Sequence, residues 1–336
     1  MKNKNKKNLW KKIVLIALAS IVAIFAIYVI VTCVTASKIP HRYASAKEGA
    51  EIMLANTEYY ENYTQNDIDF RMQKTGATLD ELLDESADEV KSFNPVEKLF
   101  IESRFAKMSR TLKKNGYELP EIDEIVLVKT DMELESAASG YTHGTEIYLN
   151  STIIATYSWL SLIPGAGNYA DELLWHELFH CLTRCNPDFR EQMYSLINFT
   201  VTGTEHELPS CVADKYISNP DVEHHDSYAT FVIDGREIDC YVAWITTMTY
   251  AEAQCGFNSC STPVLIPVDG TDTYYLPEQA SNFNEVFGEN TGYVIDPEEC
   301  MADNFKYAMY YGIEGPAGKG YPDPEIIQGV IDAVSH

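Results

Sequence analysis

The chain has 336 residues, of which 46% are hydrophobic and 12% aromatic, so it can bury a substantial core and is not a disordered chain. Seven of its basic residues are lysines at or before Lys38, and the remainder carries 18 basic and 50 acidic residues. The resulting net charge of −32 would repel nucleic acid and anionic lipid, so neither is expected as a partner of the main domain.

The chain begins with a basic tail followed by an apolar run. Six lysines fall within residues 1–12, and residues 13–36 contain no charge. About 20 apolar residues can span a bilayer, and lysines before the span favour a cytoplasmic N-terminus. The sequence therefore predicts a cytoplasmic tail at 1–12, a single transmembrane anchor at 13–36 in the cell membrane, and an extracytoplasmic remainder. A signal peptide cleaved after Val34-Thr35-Ala36 is the alternative.

Seven cysteines follow this segment, so at least one thiol has no intramolecular partner, even in a compartment that permits disulfides. Cys255 and Cys260 flank a short turn and are favoured as a pair. Cys211 and Cys240 could close a longer loop. The connectivity stays open at this point.

Residues 37–118 are predicted to form a helical, membrane-proximal region. Apolar side chains recur there at spacings of three and four, and Thr78 to Glu81 is a capping box. Asn94-Pro95 separates two of the helices. This region carries no evident chemistry.

Two strands are predicted beyond Pro120, at 125–128 and at 145–149. The glycines at 139–144 indicate a turn between them, so the strands are expected as neighbours in a small mixed sheet. The fold class expected is α+β, with a helix-rich main domain at 119–336. A long insertion is expected at 187–290.

The strongest chemical signal is His176-Glu177-Leu178-Phe179-His180, on a helix predicted from near Tyr169 to near Arg184. Histidines four apart lie on one helix face, so both imidazoles can reach one metal ion. Neutral imidazoles suit zinc, and a water bound to zinc becomes acidic enough for a neighbouring carboxylate to deprotonate it. Glu177 is therefore the expected general base. The alternative is two histidines packed on an ordinary helix.

A catalytic zinc takes three protein ligands, so the two histidines need a third. Glu299, with Asp303 four residues later, is the candidate, and Glu205 and Glu207 are its rivals. Glu299 could instead cap the helix that begins at Asp296-Pro297.

The pair of motifs, His-Glu-x-x-His and a distant Glu-x-x-x-Asp, resembles the gluzincin zinc peptidases, the group that includes thermolysin and neprilysin. The resemblance covers about ten residues. It implies a zincin-like catalytic domain in which His176, His180 and Glu299 bind zinc and Glu177 is the general base. Asp303 would accept a hydrogen bond from the outer nitrogen of a zinc histidine.

Hydrolysis of a peptide also needs a donor for the oxyanion. The resemblance implies a tyrosine or histidine beyond the ligands, and His224, His225 and Tyr228 in the polar loop at 217–228 are the candidates. A surface turn built on Asn219-Pro220-Asp221 is the alternative interpretation of this loop. By the same resemblance, the strand at 145–149 would line the cleft and pair with an extended peptide.

The sequence thus predicts a membrane-anchored, extracytoplasmic zinc metallopeptidase that acts on a peptide or protein substrate. A surface-anchored binding or assembly protein that keeps a zincin fold without turnover is the alternative. A structural helix pair without metal is a third hypothesis.

Overall fold

Two β-sheets surrounded by helices make up the computed structural model, which describes residues 2–34, 37–161, 163 and 165–335. The strands in this part of the chain are β1 (His41–Tyr43), β2 (Val90–Lys91), β3 (Ile125–Thr130), β4 (Gly140–His143), β5 (Glu146–Asn150), β6 (Thr200–Val201), β7 (Ser227–Ile233), β8 (Arg236–Thr246) and β9 (Ser261–Pro267). The α-helices are α1 (Lys2–Val34), α2 (Ala46–Ala55), α3 (Thr57–Glu61), α4 (Gln65–Met72), α5 (Leu79–Asp88), α6 (Pro95–Asn115), α7 (Ser151–Trp159), α8 (Asn168–Cys185), α9 (Pro187–Ser195), α10 (Ser210–Ala213), α11 (Tyr250–Ala253), α12 (Phe283–Phe287), α13 (Pro297–Tyr311) and α14 (Pro324–Ala333). The predicted α+β class with an excess of helix is confirmed.

The first sheet is mixed and has the strand order β1-β3-β5-β4, with β2 also paired to β3. Strands β3 and β5 run parallel, so the two predicted strands are neighbours as expected. The turn expected over 139–144 is shorter than predicted. Gly144 alone adopts a positive φ of 53°, and the residues before it form the edge strand β4, antiparallel to β5.

The two faces of this sheet carry separate halves of the core. Successive side chains of a strand point to opposite faces, so Ile125 and Leu127 pack with α6 and α8, whereas Val126 and Val128 pack with helices α2 to α5. Strands β1 and β2, which lie within the predicted helical region at 37–118, pair with β3. That region is therefore part of the same sheet and core as the residues that follow it.

The second sheet is antiparallel, in the order β6-β7-β8-β9, and it forms within the stretch predicted as an insertion. Phe231 and Leu265 on one face belong to the main core. Tyr241 and Val264 on the other face pack into a smaller cluster. The insertion is thus joined to the rest of the protein by buried apolar contacts.

The membrane anchor predicted at 13–36 is wrong. Among the described residues, no helix has the length and apolarity that crossing a bilayer requires. Helix α1 continues from the lysine-rich tail into the apolar run, and near its end the Tyr28 hydroxyl donates a hydrogen bond to Ser103 Oγ on α6 (2.7 Å). The predicted single-pass location with a cytoplasmic N-terminus depended on this anchor, so that prediction is wrong as well. Thr35 and Ala36, at the alternative cleavage site, lie outside the described residues.

The seven cysteines beyond α1 are all free thiols. Cys240 is buried in β8 while Cys211 is exposed, and Cys255 and Cys260 are not bonded to each other. The two disulfides considered from the sequence are therefore not formed.

Candidate metal centre

Helices α8 and α13 bring the two sequence motifs together. Helix α8 has the predicted extent and ends at Cys185, with Asn186 as its C-cap immediately before a proline. Helix α13 begins after Asp296, whose side chain accepts a hydrogen bond from the backbone N–H of Glu298 (2.8 Å). The helices pack through Phe179 and Phe305, with ring centroids 5.4 Å apart. Asp296 caps the helix, so Glu299 is not needed as a cap, and its carboxylate faces α8.

Three buried side chains converge where the helices meet. His176 Nε2 lies 3.1 Å from Glu299 Oε2, and His180 Nε2 lies 3.7 Å from the same oxygen. The three candidate ligand atoms all fall within 4.8 Å of one another. His180 Nε2 is buried and has no hydrogen-bond partner among the described residues. Two imidazole nitrogens and one carboxylate oxygen are a donor set that zinc takes, and a metal ion would satisfy the buried nitrogen.

The outer nitrogen of each histidine faces a carboxylate on α13. His176 Nδ1 lies 3.0 Å from Asp303 Oδ1, and His180 Nδ1 lies 2.9 Å from Glu298 Oε1. Thr183 Oγ1 also donates to Glu298 (2.6 Å), as does the Tyr194 hydroxyl (2.7 Å). Carboxylates in these positions fix the tautomer that leaves each Nε2 free for a metal.

The carboxylates of Glu298 and Asp303 are both held ionised. Burial alone would raise the pKa of Glu298, but hydrogen bonds from His180 and Thr183 outweigh burial and lower this pKa to about 2. Burial also opposes ionisation of Asp303, whose pKa is nevertheless lowered by His176 and Lys306. Asp303 was predicted in this position, whereas Glu298 was missed. The available signal for Glu298 was a second acidic residue directly beside Glu299.

The carboxylate of Glu177 extends from α8 towards β4. Thr142 Oγ1 donates a hydrogen bond to Glu177 Oε2 (2.8 Å). A Cβ at position 140 would lie 2.9 Å from Glu177 Oε1, so Gly140 lets the carboxylate approach the strand without displacement. Burial raises the pKa of Glu177, and His176, His180 and Thr142 only partly offset this. A raised pKa suits a carboxylate that has to accept a proton near neutral pH.

Three further side chains border the ligands and were not predicted as site residues. Asn219 Nδ2 donates to Glu299 Oε1 (2.5 Å), and the Tyr293 hydroxyl donates to the same oxygen (2.9 Å). Asp221 Oδ1 lies 3.8 Å from His180 Nε2. The turn considered for this stretch is formed, with Asn219 Oδ1 accepting from the Asp221 N–H (3.1 Å), but Asn219 and Asp221 are buried, so its expected surface position is wrong.

The predicted oxyanion donors lie elsewhere. The His224 side chain is 59% exposed and sits 3.4 Å from Glu205, one of the rival ligands. Tyr228 is in β7, opposite Thr200 of β6. Between these two residues, Asp226 binds the Arg190 guanidinium through both carboxylate oxygens.

A cavity of about 510 Å³ opens beside His176 and Glu177. In the part of the chain that the structure describes, neither His224 nor Tyr228 lines it. Its other walls include the acidic Glu135 and Glu172, together with Lys306 and several aromatic side chains. Volumes of about 300–1,000 Å³ are typical of ligand pockets, so the cavity is large enough to hold a small molecule beside the three candidate metal ligands.

Compared with protein-family models, with curated proteins and with solved structures, the chain matches none of them.

Proposed function

We propose that this protein is a zinc-dependent peptidase. The observation that carries the proposal is the convergence of His176, His180 and Glu299 on one buried point, where His180 Nε2 has no partner among the described residues. Glu177 is adjacent to this point, as a general base must be. Most buried imidazole nitrogens have a hydrogen-bond partner, so an unpaired one beside a second histidine and a carboxylate favours a metal site over an ordinary helix pair.

The side chains divide the work of hydrolysis between them. His176, His180 and Glu299 hold the metal ion, with Asp303 and Glu298 fixing the imidazoles from behind. Zinc bound there supplies Lewis-acid activation of water and of the scissile carbonyl.

Glu177 Oε2 is oriented by the Thr142 hydroxyl. This carboxylate takes the proton from the attacking water and passes it to the departing amine. Tyr293 presents a hydroxyl at the ligands and is the oxyanion donor in this proposal, in place of Tyr228.

Substitution of Glu177 by Gln tests the mechanism. The amide keeps the size of the side chain but cannot accept the proton, so peptide cleavage should fall by about 10²- to 10⁴-fold. One zinc per chain should remain, because Glu177 is not among the three ligands. Cleavage of a mixed peptide library and elemental analysis measure the two properties.

The matched control is Glu191→Gln, an exposed position on α9, which should cleave peptides as the unmodified protein does. Undiminished cleavage by the Glu177→Gln protein would refute the role of Glu177. A purified protein without zinc would refute the metal centre.

A second candidate is a zinc-binding protein without turnover. It is favoured by Asp221, which lies beside the ligands and could complete a set of four protein ligands, as in structural zinc sites. This candidate predicts stoichiometric zinc and no cleavage of any library peptide.

A further inference from the structure

The free edge of strand β4 is already occupied by another part of the chain. The backbone N–H of Thr142 donates to Asp221 Oδ1 (2.7 Å), and the N–H of Gly144 donates to Glu223 Oε1 (2.7 Å). Thr142 lies in β4 and its N–H points away from β5, whereas Gly144 lies in the turn that immediately follows β4. The N–H of Thr142 is a group that an added peptide strand would use. The carboxylates that hold these two N–H groups are also two residues apart.

The same stretch reaches the metal centre. The ligand atoms of Glu177, His180 and Asp221 lie within 4.8 Å of one another. The Asp221 carboxylate is therefore on the side of the metal position that Glu177 faces. That is the side on which the attacking water and the scissile carbonyl have to be placed.

We call residues 218–223 the Asp221 segment. It is fixed by buried polar contacts, as Ser218 donates to Asp67 Oδ1 through both N–H (2.7 Å) and Oγ (2.9 Å). Arg71 donates to the Ser218 carbonyl (2.8 Å), and Arg184 donates to the Asp221 carbonyl (2.8 Å). These buried hydrogen bonds hold the segment in one position, so it is an ordered part of the fold.

The segment also separates two cavities. Asn219 to Asp221 line the cavity of about 510 Å³ beside the metal centre. Ser218, Val222 and Glu223 line a second cavity of about 790 Å³ on the other side. Withdrawal of the segment would join the two into one groove along β4.

We propose that the Asp221 segment is an internal inhibitor of the peptidase, with Asp221 as an additional metal ligand and the segment occupying the place of the substrate along β4. The inference rests on the proposed function. In this closed state the metal centre binds zinc but is blocked, and a peptide reaches Glu177 only when the segment withdraws.

The variant Asp221→Asn tests the inference. The amide oxygen can still accept from Thr142 N–H, so the fold is preserved, but the charged ligand is lost. With Co²⁺ as the probe, the visible absorption spectrum should change, because it reports the ligands around the ion, and the affinity for Co²⁺ should fall. In the zinc protein kcat/KM should rise by about tenfold, because a neutral hydrogen bond is roughly half as strong as one to a carboxylate.

Glu223→Gln separates the two parts of the inference. Glu223 accepts from the Gly144 N–H just after β4 and pairs with Arg184 (2.7 Å), but it does not contact the metal ligands. The Co²⁺ spectrum should therefore match that of the unmodified protein while kcat/KM rises. Asp234→Asn, at an exposed turn between β7 and β8, is the matched control and should change neither property.

The outcomes are distinguishable. An unchanged Co²⁺ spectrum and affinity in Asp221→Asn overturns ligation by Asp221, and unchanged or lower kcat/KM in both variants overturns the inhibition. A changed spectrum without any cleavage by either protein supports ligation by Asp221 and overturns the peptidase proposal instead.

Discussion

The α8–α13 helix pair and the Asp221 segment meet at one metal centre but are built in different ways. In the helix pair, His176 and His180 are separated by one turn of a single helix, and the carboxylates hydrogen-bonded to them all lie on α13. In the Asp221 segment, the partners that fix it to the rest of the fold come from several distant parts of the chain. Ser218 is 151 residues from Asp67, and Asp221 is 79 residues from Thr142.

This difference determines what each region can reveal before the structure is known. Helical periodicity fixes which side chains share a face, so a metal-binding pair is visible as a spacing. The partners of a buried polar segment depend on how distant elements pack, and no spacing encodes that. The same difference leads us to expect that metal affinity depends on the helix pair. Global stability should depend strongly on Arg71 and Asp67, which hold Ser218 of the Asp221 segment in place.

The largest effect on stability is expected from Arg71→Met. The Arg71 guanidinium is buried, lies 2.8 Å from both Asp67 and Glu135, and donates to the Ser218 carbonyl. Removing it leaves two carboxylates and a carbonyl without their partner, so the free energy of unfolding should fall by about 3–5 kcal/mol. Chemical denaturation of the metal-free protein measures this.

The control for Arg71 is Lys74→Met, just beyond α4. Lys74 forms an ion pair with Glu81 that is about half exposed, and loss of such a pair should cost no more than about 1 kcal/mol. If Arg71→Met reduces the free energy of zinc binding as much as it reduces the free energy of unfolding, the distinction between the two regions fails.

A smaller effect, on metal affinity, is expected from Glu298→Gln and Asp303→Asn. Each amide can still accept the histidine N–H bond, but its negative charge behind the imidazole is lost. Loss of such a contact typically lowers metal affinity by about 10- to 100-fold. Competition with a chromophoric chelator measures the zinc affinity of each variant.

Glu325→Gln, exposed on α14, is the control and should bind zinc as the unmodified protein does. An unchanged affinity in Glu298→Gln, together with a reduced one in Asp303→Asn, would mean that His180 is not a ligand. In that case the unpartnered Nε2 of His180 needs another explanation.

The sequence was informative where its patterns were local. The extent of α8, the start of α13 at Asp296, and the neighbouring strands β3 and β5 all follow from periodicity, capping or β-propensity. The strand β4 was missed because its glycines resemble a turn, although Gly140 is present to admit the carboxylate of Glu177.

The polar stretch at 217–228 shows the limit of composition as a guide. Its many polar residues indicated an exposed or cleft-lining loop, yet Ser218, Asn219 and Asp221 are buried and bonded to distant partners. Polar side chains are buried when the fold supplies partners for them. Here the partners are Asp67, Thr142 and Glu299, which come from three other parts of the chain.

A dependence of stability on pH, which is small near neutral pH and grows as the pH falls, is expected on the β4 side of the centre. Burial lowers the pKa of His143 to about 3, and the positive Arg184 and Arg71 add to this. In the unfolded chain the same imidazole titrates near 6.5. The unfolded state therefore binds more protons between these values. The stability that His143 contributes is complete above pH 6.5 and is lost as the pH falls, by up to about 1.4 kcal/mol per pH unit.

The variant His143→Phe isolates this contribution, because a phenyl ring can occupy the same aromatic surroundings of Tyr59 and Tyr141 without taking up a proton. Unfolding free energies of the metal-free protein between about pH 7.5 and about pH 5 should decline less steeply in the variant. His176 and His180 are present in both proteins, so their titration cancels in the difference. Equal slopes would mean that His143 is protonated within the folded protein, and the β4 side would then not be the acid-sensitive one.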